Sequence, residues 1–508
     1  MNFRFMLFLA LTLIIASSLA TYIFLSSNLR IIIIFTLVVL FLTCLILAIF
    51  LKTKFICAIS ALLIFATIPF LNLFIREHNI KEYEQLNNID VVVYGRIAEN
   101  YSYSSGGSVR ILLDDVTVYD QNVTHLSGKV LIYTNVTGMN FAEIDIGKYV
   151  SVVAKLDFNH YLGDTYDVYY LNNNIVATTY VYNSKITFTD KTNTSLKDDI
   201  KSSVYDFLKD NDTKYADVGY AMLFGDDTLL DPNIKASFRN TGIAHLLAVS
   251  GLHVSIIIMI IDFILKKFKC PVVPKIIMLI VFLGFYCYLC DFSVSVIRAS
   301  LMALFALYAT SRGKAYDNLS VLSLIASVIL IINPLQISYL SFILSFSAVH
   351  SIIILSKPIY RGLSKLFYPK FASTLALNIS VQLGLLLTNI YYFNAFNPLG
   401  IICNLISVPI ATVAFVILIA STIMGTLLPF MSFALNGYEF LMDIVVKFNS
   451  FVASLDVQMM ISDVTLASLV FVIAAEYLLS DHTFMKGKTK VVSCLLVYSV
   501  CNLISVII

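Results

Sequence analysis

Tryptophan is absent from the 508 residues, and charged side chains are scarce, at 13% of the chain. Hydrophobic residues make up 59%, and the mean hydropathy is +0.85. Polar surface this limited cannot cover a water-soluble globule of this length, so a bilayer must solvate much of the chain. Runs such as Arg30 to Phe50 approach the roughly 20 apolar residues that cross a hydrocarbon core of ~30 Å. The composition therefore predicts a polytopic α-helical membrane protein.

Other absences narrow the function. The net charge of +2 is too small to indicate a nucleic-acid partner, because positive-inside lysines give a membrane protein the same excess. No Gly-x-x-x-x-Gly-Lys-Ser/Thr loop occurs, so no phosphate-cradling motor is expected in the chain. The eight cysteines all lie in or beside apolar segments, which argues against a disulfide-stapled extracellular domain.

Residues 1–75 are predicted to form an N-terminal transmembrane anchor with spans at about 4–26, 30–50 and 55–75. The first span resembles a signal peptide, but it is too long for one and two further spans follow, so we expect it to be retained. Lys52 and Lys54 lie between the second and third spans. Positive-inside logic places that loop and the N-terminus in the cytoplasm.

Hydropathy falls over residues 76–190, where segments such as "DVVVYGRIAEN" and "GKYVSVVAKLDF" alternate apolar and polar residues between Gly and Asn turns. This pattern predicts a small extracytoplasmic all-β domain. Its five or so strands suit an OB-like barrel, and a short sandwich fits equally well. Tyrosines on which bases can stack are plentiful there. However, Asp90 to Asp190 holds six basic against eleven acidic side chains, and a tight phosphate tracker is normally basic.

Residues 191–240 are predicted to form amphipathic helices along the membrane surface. Residues 241–508 return to high hydropathy. Lys/Arg clusters fall on alternate connections there, which puts the β domain and the C-terminus on the outer side. The run 399–428 contains Pro409 and is either one span or a broken pair, while 433–455 carries charges and fits either a span or the interface. The expected spans are 242–265, 272–290, 294–311, 318–333, 337–356, 372–393, 399–428, 433–455, 464–480 and 490–508.

Asn240 to Ser255, "NTGIAHLLAVSGLHVS", places two histidines and a Ser-Gly pair in an apolar span, which is costly in lipid. It is preceded by "AMLFGDDTLLDPNIKASFRNTG", which contains Asp226 and Asp227, and followed by "VIRASLMAL", "RGKAYDNLS", "NPLQ", "LSFILSFSAV" and "NPLGIICNLISVP". In this order, the blocks resemble the ComEC competence-protein family. That family forms the membrane channel of DNA uptake in naturally transformable bacteria.

The resemblance implies a multi-pass channel in the bacterial inner membrane that imports single-stranded DNA during transformation. A cytoplasmic ATPase and an extracytoplasmic DNA receptor are the implied partners. Family members often carry a metallo-β-lactamase-like domain, but no His-x-His-x-Asp-His run occurs here. We therefore expect no enzyme activity, metal or cofactor in this chain, and a separate polypeptide can supply a nuclease. The family's usual Phe-Gln-Leu-Ser is here Phe342, Ile343, Leu344 and Ser345.

A different class is also compatible with the sequence. A polytopic secondary transporter, or a membrane enzyme for a small or lipid substrate, would use His253 to handle protons. A two-fold internal repeat would favour the transporter, and none is visible.

His245, Ser250, Gly251 and His253 are the leading site residues. If one helix began near Gly242, His253 would lie about eleven residues, or ~16 Å, into the span. The two histidines would then be ~12 Å apart along the axis and about 80° apart around it, so they could not share a metal ion. Ser250, Gly251 and His253 form either a polar constriction or broken helix lining a hydrated path, or a hydrogen-bonded pair that holds helices together.

Further polar residues lie within the predicted spans. Arg298 can pair with a phosphate in transit or with Asp291 as a structural partner. Asn378 with Gln382, and Asn404 with Ser407, have helical spacing and either face a pore or bind neighbouring helices.

Overall fold

The structure is a computed structural model, and the chain forms two compact units, each considered by itself. The first unit is Met1–Ser202 with Ser323–Tyr339, and the second is Ser203–Leu322 with Leu340–Ile508. The residues described are 5–22, 33–34, 36–43, 54–99, 102–103, 108–120, 123–135, 144, 146–158, 168–182, 186–393, 395–427, 429–455, 457 and 459–460.

The β region of the first unit forms one connected sheet. Its main path runs β7-β5-β3-β1-β6-β8, and the two shortest strands both pair with β3. Neighbouring strands are antiparallel except for β5 and β7, which are parallel. The strands are β1 (Asp90–Ile97), β2 (Ser102–Tyr103), β3 (Val109–Tyr119), β4 (Val123–His125), β5 (Lys129–Thr134), β6 (Lys148–Lys155), β7 (Ile175–Val181) and β8 (Ile186–Thr192).

One face of this sheet is buried because side chains alternate along each strand. In β1, Val91 and Val93 are buried, while Val92 between them is 37% exposed. A bridge between Asp157, just after β6, and Thr178 in β7 brings the edge strand β7 close to the other half of the path. The sheet therefore curls around a single apolar core.

The helices of the first unit share that core. α1 (Phe5–Tyr22) packs against α2 (Lys54–Lys81), and Ala16 and Phe70 belong to the same buried cluster as the sheet residues. Residues 33–34 and 36–43 are also helical, and α3 (Val168–Asn172) is a short turn before β7. Asn333 accepts a hydrogen bond from Arg76 of α2 at 3.3 Å and donates one to Asn172 of α3 at 2.9 Å. These two bonds hold the residues around Asn333 beside α2.

The second unit is helical. Most of its long helices begin within a few residues of the expected spans. The boundaries of the unit do not coincide with helix ends, because α4 starts before the unit and α10 extends past residue 322. They are α4 (Leu196–Asp210), α5 (Ala216–Phe224), α6 (Pro232–Asn240), α7 (Gly251–Lys267), α8 (Val272–Leu289), α9 (Val294–Ser311), α10 (Asn318–Ile332), α11 (Leu340–Leu363), α12 (Pro369–Phe393), α13 (Gly400–Leu427) and α14 (Leu435–Ser454).

In the described part of the chain, six helical segments are long and apolar enough to cross a bilayer. With the family match reported below, they make this a multi-pass membrane protein. The segments are Ile59–Ile80, Ala244–Lys267, Val272–Leu289, Val294–Ser311, Leu340–Leu363 and Gly400–Gly425.

Two open points of the topology have structural outcomes. α13 is one continuous helix with Pro409 inside it, so the broken pair at 399–428 does not form. α14 is a single helix over Leu435–Ser454 and is not among the six segments. The predicted spans at 464–480 and 490–508, the lysines between them and part of the span at 30–50 lie outside the described residues.

Candidate functional site

The Asn240 to Ser255 segment is interrupted before it becomes a helix. Gly242 has a left-handed φ of 75°, Ala244–Leu246 forms a 3-10 turn, and Ser250 is extended at the N-cap of α7. The expected span at 242–265 agrees with the apolar segment Ala244–Lys267, but a continuous helix from Gly242 is wrong, because the left-handed turn ends regular α-helical geometry there. His253 consequently lies in the first turn of α7, not about eleven residues into a helix.

His253 caps the start of α7. The Ser250 N–H donates to His253 Nδ1 at 3.1 Å, the arrangement in which the third helical residue reaches back to the N-cap. The ring is 1% exposed and packs on Phe415 of α13 with centroids 4.3 Å apart. Because Nδ1 accepts a hydrogen bond, it carries no proton in this geometry, and the neutral imidazole has its proton on Nε2.

His245 lies on the 3-10 turn, away from this cap. Its side chain is exposed. Within the residues that the structure describes, no three ligating side chains are grouped as a metal site.

Arg298 of α9 is buried, with 7% of its surface exposed. Its Nε donates to Ser345 Oγ at 2.7 Å, and Nη1 contacts Met302 Sδ at 3.9 Å. It does not pair with Asp291, and among the described residues no carboxylate lies within ion-pairing distance of it. A buried cation without a counter-charge is costly, so this arginine is unlike an ordinary structural ion pair.

The arginine abuts the first residue of α7. A Cβ added to Gly251 would lie 3.4 Å from Arg298 Nη2, and Ser295 Oγ donates to the carbonyl oxygen of Val249 at 2.9 Å. The start of α9 is thereby fixed against the start of α7. The fold thus brings together Ser250, Gly251, His253 and Arg298, four residues singled out from the sequence.

The sequence model of the Competence protein family matches residues 222–480, half of the chain and the whole of this cluster. The chain belongs to the Competence protein family.

Individual relatives agree over shorter stretches. The chain is 28% identical over 192 residues to ComE operon protein 3 of Bacillus subtilis, which covers 38% of this chain and 24% of that protein. It is 27% identical over 206 residues to Recombination protein 2 of Haemophilus influenzae, covering 37% and 26%, and 31% identical over 170 residues to an uncharacterized Aquifex aeolicus protein, covering 32% and 40%. The chain thus aligns with about a quarter of the first two relatives. No solved structure matches.

Within this competence-family chain, Asp226 and Asp227 make local contacts. Asp226 accepts from the Thr228 backbone N–H at 3.1 Å and from its hydroxyl at 2.6 Å, and Asp227 pairs with Lys235 at 2.6 Å. These bonds hold the loop between α5 and α6. The loop begins at Gly225, where an added Cβ would lie 3.4 Å from a methyl of Val249.

Gln382 lies at a second close approach, between α12 and the start of α13. A Cβ on Gly400 would lie 3.1 Å from Gln382 Nε2 and 3.5 Å from the Thr241 carbonyl oxygen. The side chain of Asn397 donates to the Asn240 carbonyl oxygen at 2.6 Å. The interrupted segment is therefore held from the α13 side as well.

Asn378 and Asn404 are placed differently. Asn378 donates to the Thr374 carbonyl oxygen one turn earlier, at 3.1 Å, within its own helix. Asn404 is 8% exposed, and its Oδ1 has no hydrogen-bond partner among the described residues. Its helical neighbour Ser407 accepts from Asn449 of α14 at 2.8 Å, which is an interhelical bond.

Sequence reasoning missed three residues that organise the site: Ser345, Asn397 and Asn449. The first two lie inside the blocks "LSFILSFSAV" and "NPLGIICNLISVP", and Asn397 precedes a proline, a usual turn signal. Asn449 is a polar residue in an amphipathic helix and gives no comparable signal. Its 0% exposure emerges only from the packing of α14 on α13.

Proposed function

We propose that this chain is a passive channel that carries single-stranded DNA across the bacterial inner membrane during natural transformation. The family match over residues 222–480 carries the proposal, because it spans the interrupted segment and Arg298 together. The relatives' names, a ComE operon protein and a recombination protein, both concern handling of DNA or competence. The proposal extends that context to this chain.

The chemistry of the cluster supports passage of a charged polymer. Interrupted backbone at membrane depth is tolerated only where protein covers it or where it lines a water-filled cavity. Here it coincides with a buried arginine that has no carboxylate partner among the described residues, and with the exposed His245. Intramembrane ionisable residues of this kind commonly mark a substrate path.

The β domain is proposed to be an OB-like, extracytoplasmic domain. Five strands, β1, β3, β5, β6 and β7, follow one another around a single core, and the Asp157–Thr178 bridge approaches closure. This agrees with a five-stranded, partly open barrel better than with two packed sheets. The outer location is supported by the lysine distribution alone.

The driving force is proposed to come from partners. The 508 residues contain no phosphate-binding Gly-x-x-x-x-Gly-Lys-Ser/Thr loop. A cytoplasmic ATPase would then pull the strand, an outer receptor would deliver it, and a nuclease on a separate polypeptide would remove the other strand. The residues of the cluster act by binding and positioning, not by catalysis.

A transporter or membrane enzyme would require His253 to exchange a proton. Its Nδ1 already accepts from the Ser250 N–H, so protonation there would break the cap of α7. That conflict favours a structural and path-lining role over proton handling.

Reconstitution tests the channel directly. The purified protein is placed in a planar bilayer, and single-stranded DNA is added on one side under an applied potential. We expect current blockades when single-stranded DNA is added and none with duplex DNA. The blockades should not require a nucleoside triphosphate. An absence of blockades with protein that is folded and inserted would contradict a passive channel.

A further inference from the structure

We propose that Arg298 and the N-terminal turn of α7 form a binding site for a single phosphodiester group. Applied to DNA, the inference rests on the proposed function, since the ligand is then one backbone phosphate of the strand in transit. Phospholipid headgroups contain the same chemical group and are the other source. The site itself follows from the geometry around Arg298.

The arginine has unused binding capacity. Nε is bonded to Ser345 Oγ and Nη1 contacts the Met302 sulfur, while Nη2 has no acceptor among the described residues. Guanidinium groups are suited to bidentate recognition of phosphate oxygens. The bond to Ser345 fixes the plane of the group, so less side-chain freedom is lost when an anion binds.

The N-terminus of α7 adds positive charge next to Arg298, which favours binding of an anion. The first N–H groups of an α-helix lack intrahelical acceptors, the capping box of Ser250 and His253 engages only part of this end of α7, and the helix dipole places about half a positive charge there. Arg298 therefore lies beside a second positive centre, and no carboxylate of the described part of the chain pairs with it. An anion bound to both would offset the positive charge of Arg298 and that of the helix end, as anions do at other helix N-termini.

Gly251 lets the arginine and the start of α7 approach each other closely. A methyl group at residue 251 would lie in van der Waals contact with Arg298 Nη2, at 3.4 Å, and would cover the nitrogen that has no partner. The N-cap Ser250 next to it adds a polar side chain at the same place. The absence of a side chain at Gly251 therefore leaves Nη2 uncovered on the side that faces α7.

The charge of the site selects a monoanion. One guanidinium and about half a charge from the helix end match a diester carrying one negative charge. A dianionic phosphate monoester would exceed this positive charge in a buried location, where excess charge is costly. Weak single contacts also suit a strand that must leave each site it enters.

The test uses the full-length protein in a maltoside detergent free of phosphate. Three probes are compared: dimethyl phosphate, a short oligothymidylate, and micelles containing phosphatidylglycerol. A methylphosphonate oligothymidylate, whose backbone is uncharged, serves as the ligand control. Binding is measured by the shift of the thermal unfolding midpoint and, for the oligonucleotides, by fluorescence anisotropy.

Arg298→Met should weaken dimethyl phosphate binding by roughly tenfold to a hundredfold, the usual effect of losing a charge-assisted bond. It should also lower the salt dependence of oligothymidylate binding by about one unit of slope. Arg312→Met, which removes an exposed arginine at the other end of α9, is the matched control and should change neither value. Gly251→Ala keeps Arg298 but covers Nη2, and it should weaken binding as Arg298→Met does.

Equal dimethyl phosphate affinity in the wild type and in both site variants would overturn the site. If Arg298→Met does not fold, Gly251→Ala decides by the same criterion. Stabilisation by phosphatidylglycerol alone, lost in the variants, supports the site and assigns its ligand to lipid. If the protein binds dimethyl phosphate as expected but deletion of its gene leaves DNA uptake intact, the site stands and the proposed function is contradicted.

Discussion

At the scale of single residues, His253 connects helix geometry to membrane chemistry. Its Nδ1 caps the Ser250 N–H, and its ring lies against Phe415 of another helix. The same side chain thus starts α7 and contributes to a packed interior. Substitutions separate the hydrogen bond from the packing, because some side chains can accept the N-cap hydrogen bond and others can only fill the same volume.

His253→Gln should preserve DNA uptake, since glutamine at the third helical position can accept from the N-cap N–H. His253→Leu should reduce uptake and destabilise the protein by about 1 kcal/mol, because it leaves that N–H without a partner. Uptake of labelled DNA is measured at matched protein levels, together with thermal unfolding in detergent. Normal uptake in the Leu variant would remove His253 from the site, and loss in both variants would instead indicate proton transfer.

Gly242 is the residue at which the interruption begins. Gly242→Ala should destabilise the protein by about 1–2 kcal/mol, because φ of 75° is unfavourable for a residue with a Cβ. Gly284→Ala in α8 is the matched control: nothing lies within 4 Å of its added Cβ, and alanine has the higher helix propensity. The thermal unfolding midpoint should fall for Gly242→Ala and not for Gly284→Ala. Equal stability of both would mean that the left-handed turn is not required.

At the scale of elements, hydropathy predicted most of the long helices and their starts well, and the start of α7 is the exception. The expected span at 294–311 is observed as Val294–Ser311, and 272–290 as Val272–Leu289. The start of α7 was misplaced because the 3-10 turn is as apolar as the helix that follows it. Ser345 matches the serine of the family's Phe-Gln-Leu-Ser, in which Ile343 is the departure, but its bond to Arg298, which joins α11 to α9, has no periodic signal. Tertiary packing, not local pattern, determines that contact.

Asp443 is one of the residues that join α14 to the loop before α5. Its carboxylate accepts from Lys214 at 2.7 Å and from Tyr215 at 2.8 Å, and it pairs with Lys447 at 2.6 Å. The bonds from Lys214, Lys447 and Tyr215 lower the pKa of Asp443. A lowered folded-state pKa stabilises the protein above the unfolded value of about 3.9, and this contribution is lost as pH falls through the folded value.

Asp443→Asn should therefore lower the unfolding midpoint by a constant amount above about pH 5, and the difference should shrink at lower pH. The midpoint is measured from pH 3 to pH 7 for the wild type and for two variants. Asp206→Asn, which removes an exposed carboxylate on α4, controls for the change in net charge. A difference from wild type that stays constant to pH 3 would show that the ion pairs at Asp443 contribute nothing measurable.

At the scale of the whole molecule, the lysine distribution predicts a topology that packing cannot test. The segments Lys52 to Lys54 and Lys266 to Lys269 should be cytoplasmic, and the β domain and C-terminus should be outside. Single cysteines at positions 120 and 267, in a variant lacking the native cysteines, are labelled with a membrane-impermeant reagent. Position 120 should react in intact cells and position 267 only after lysis. The reverse pattern would invert the orientation.

Passage of DNA through this protein is the central claim, and uptake measured separately from recombination tests it most directly. Cells lacking the gene receive labelled DNA, and nuclease-resistant internal label is counted, while the same DNA is introduced by electroporation to measure chromosomal recombination. We predict that uptake is lost, that recombination of electroporated DNA is unchanged, and that the wild-type gene restores uptake. Normal internal label together with lost recombination would contradict the account and assign the protein to a step after DNA has crossed the membrane.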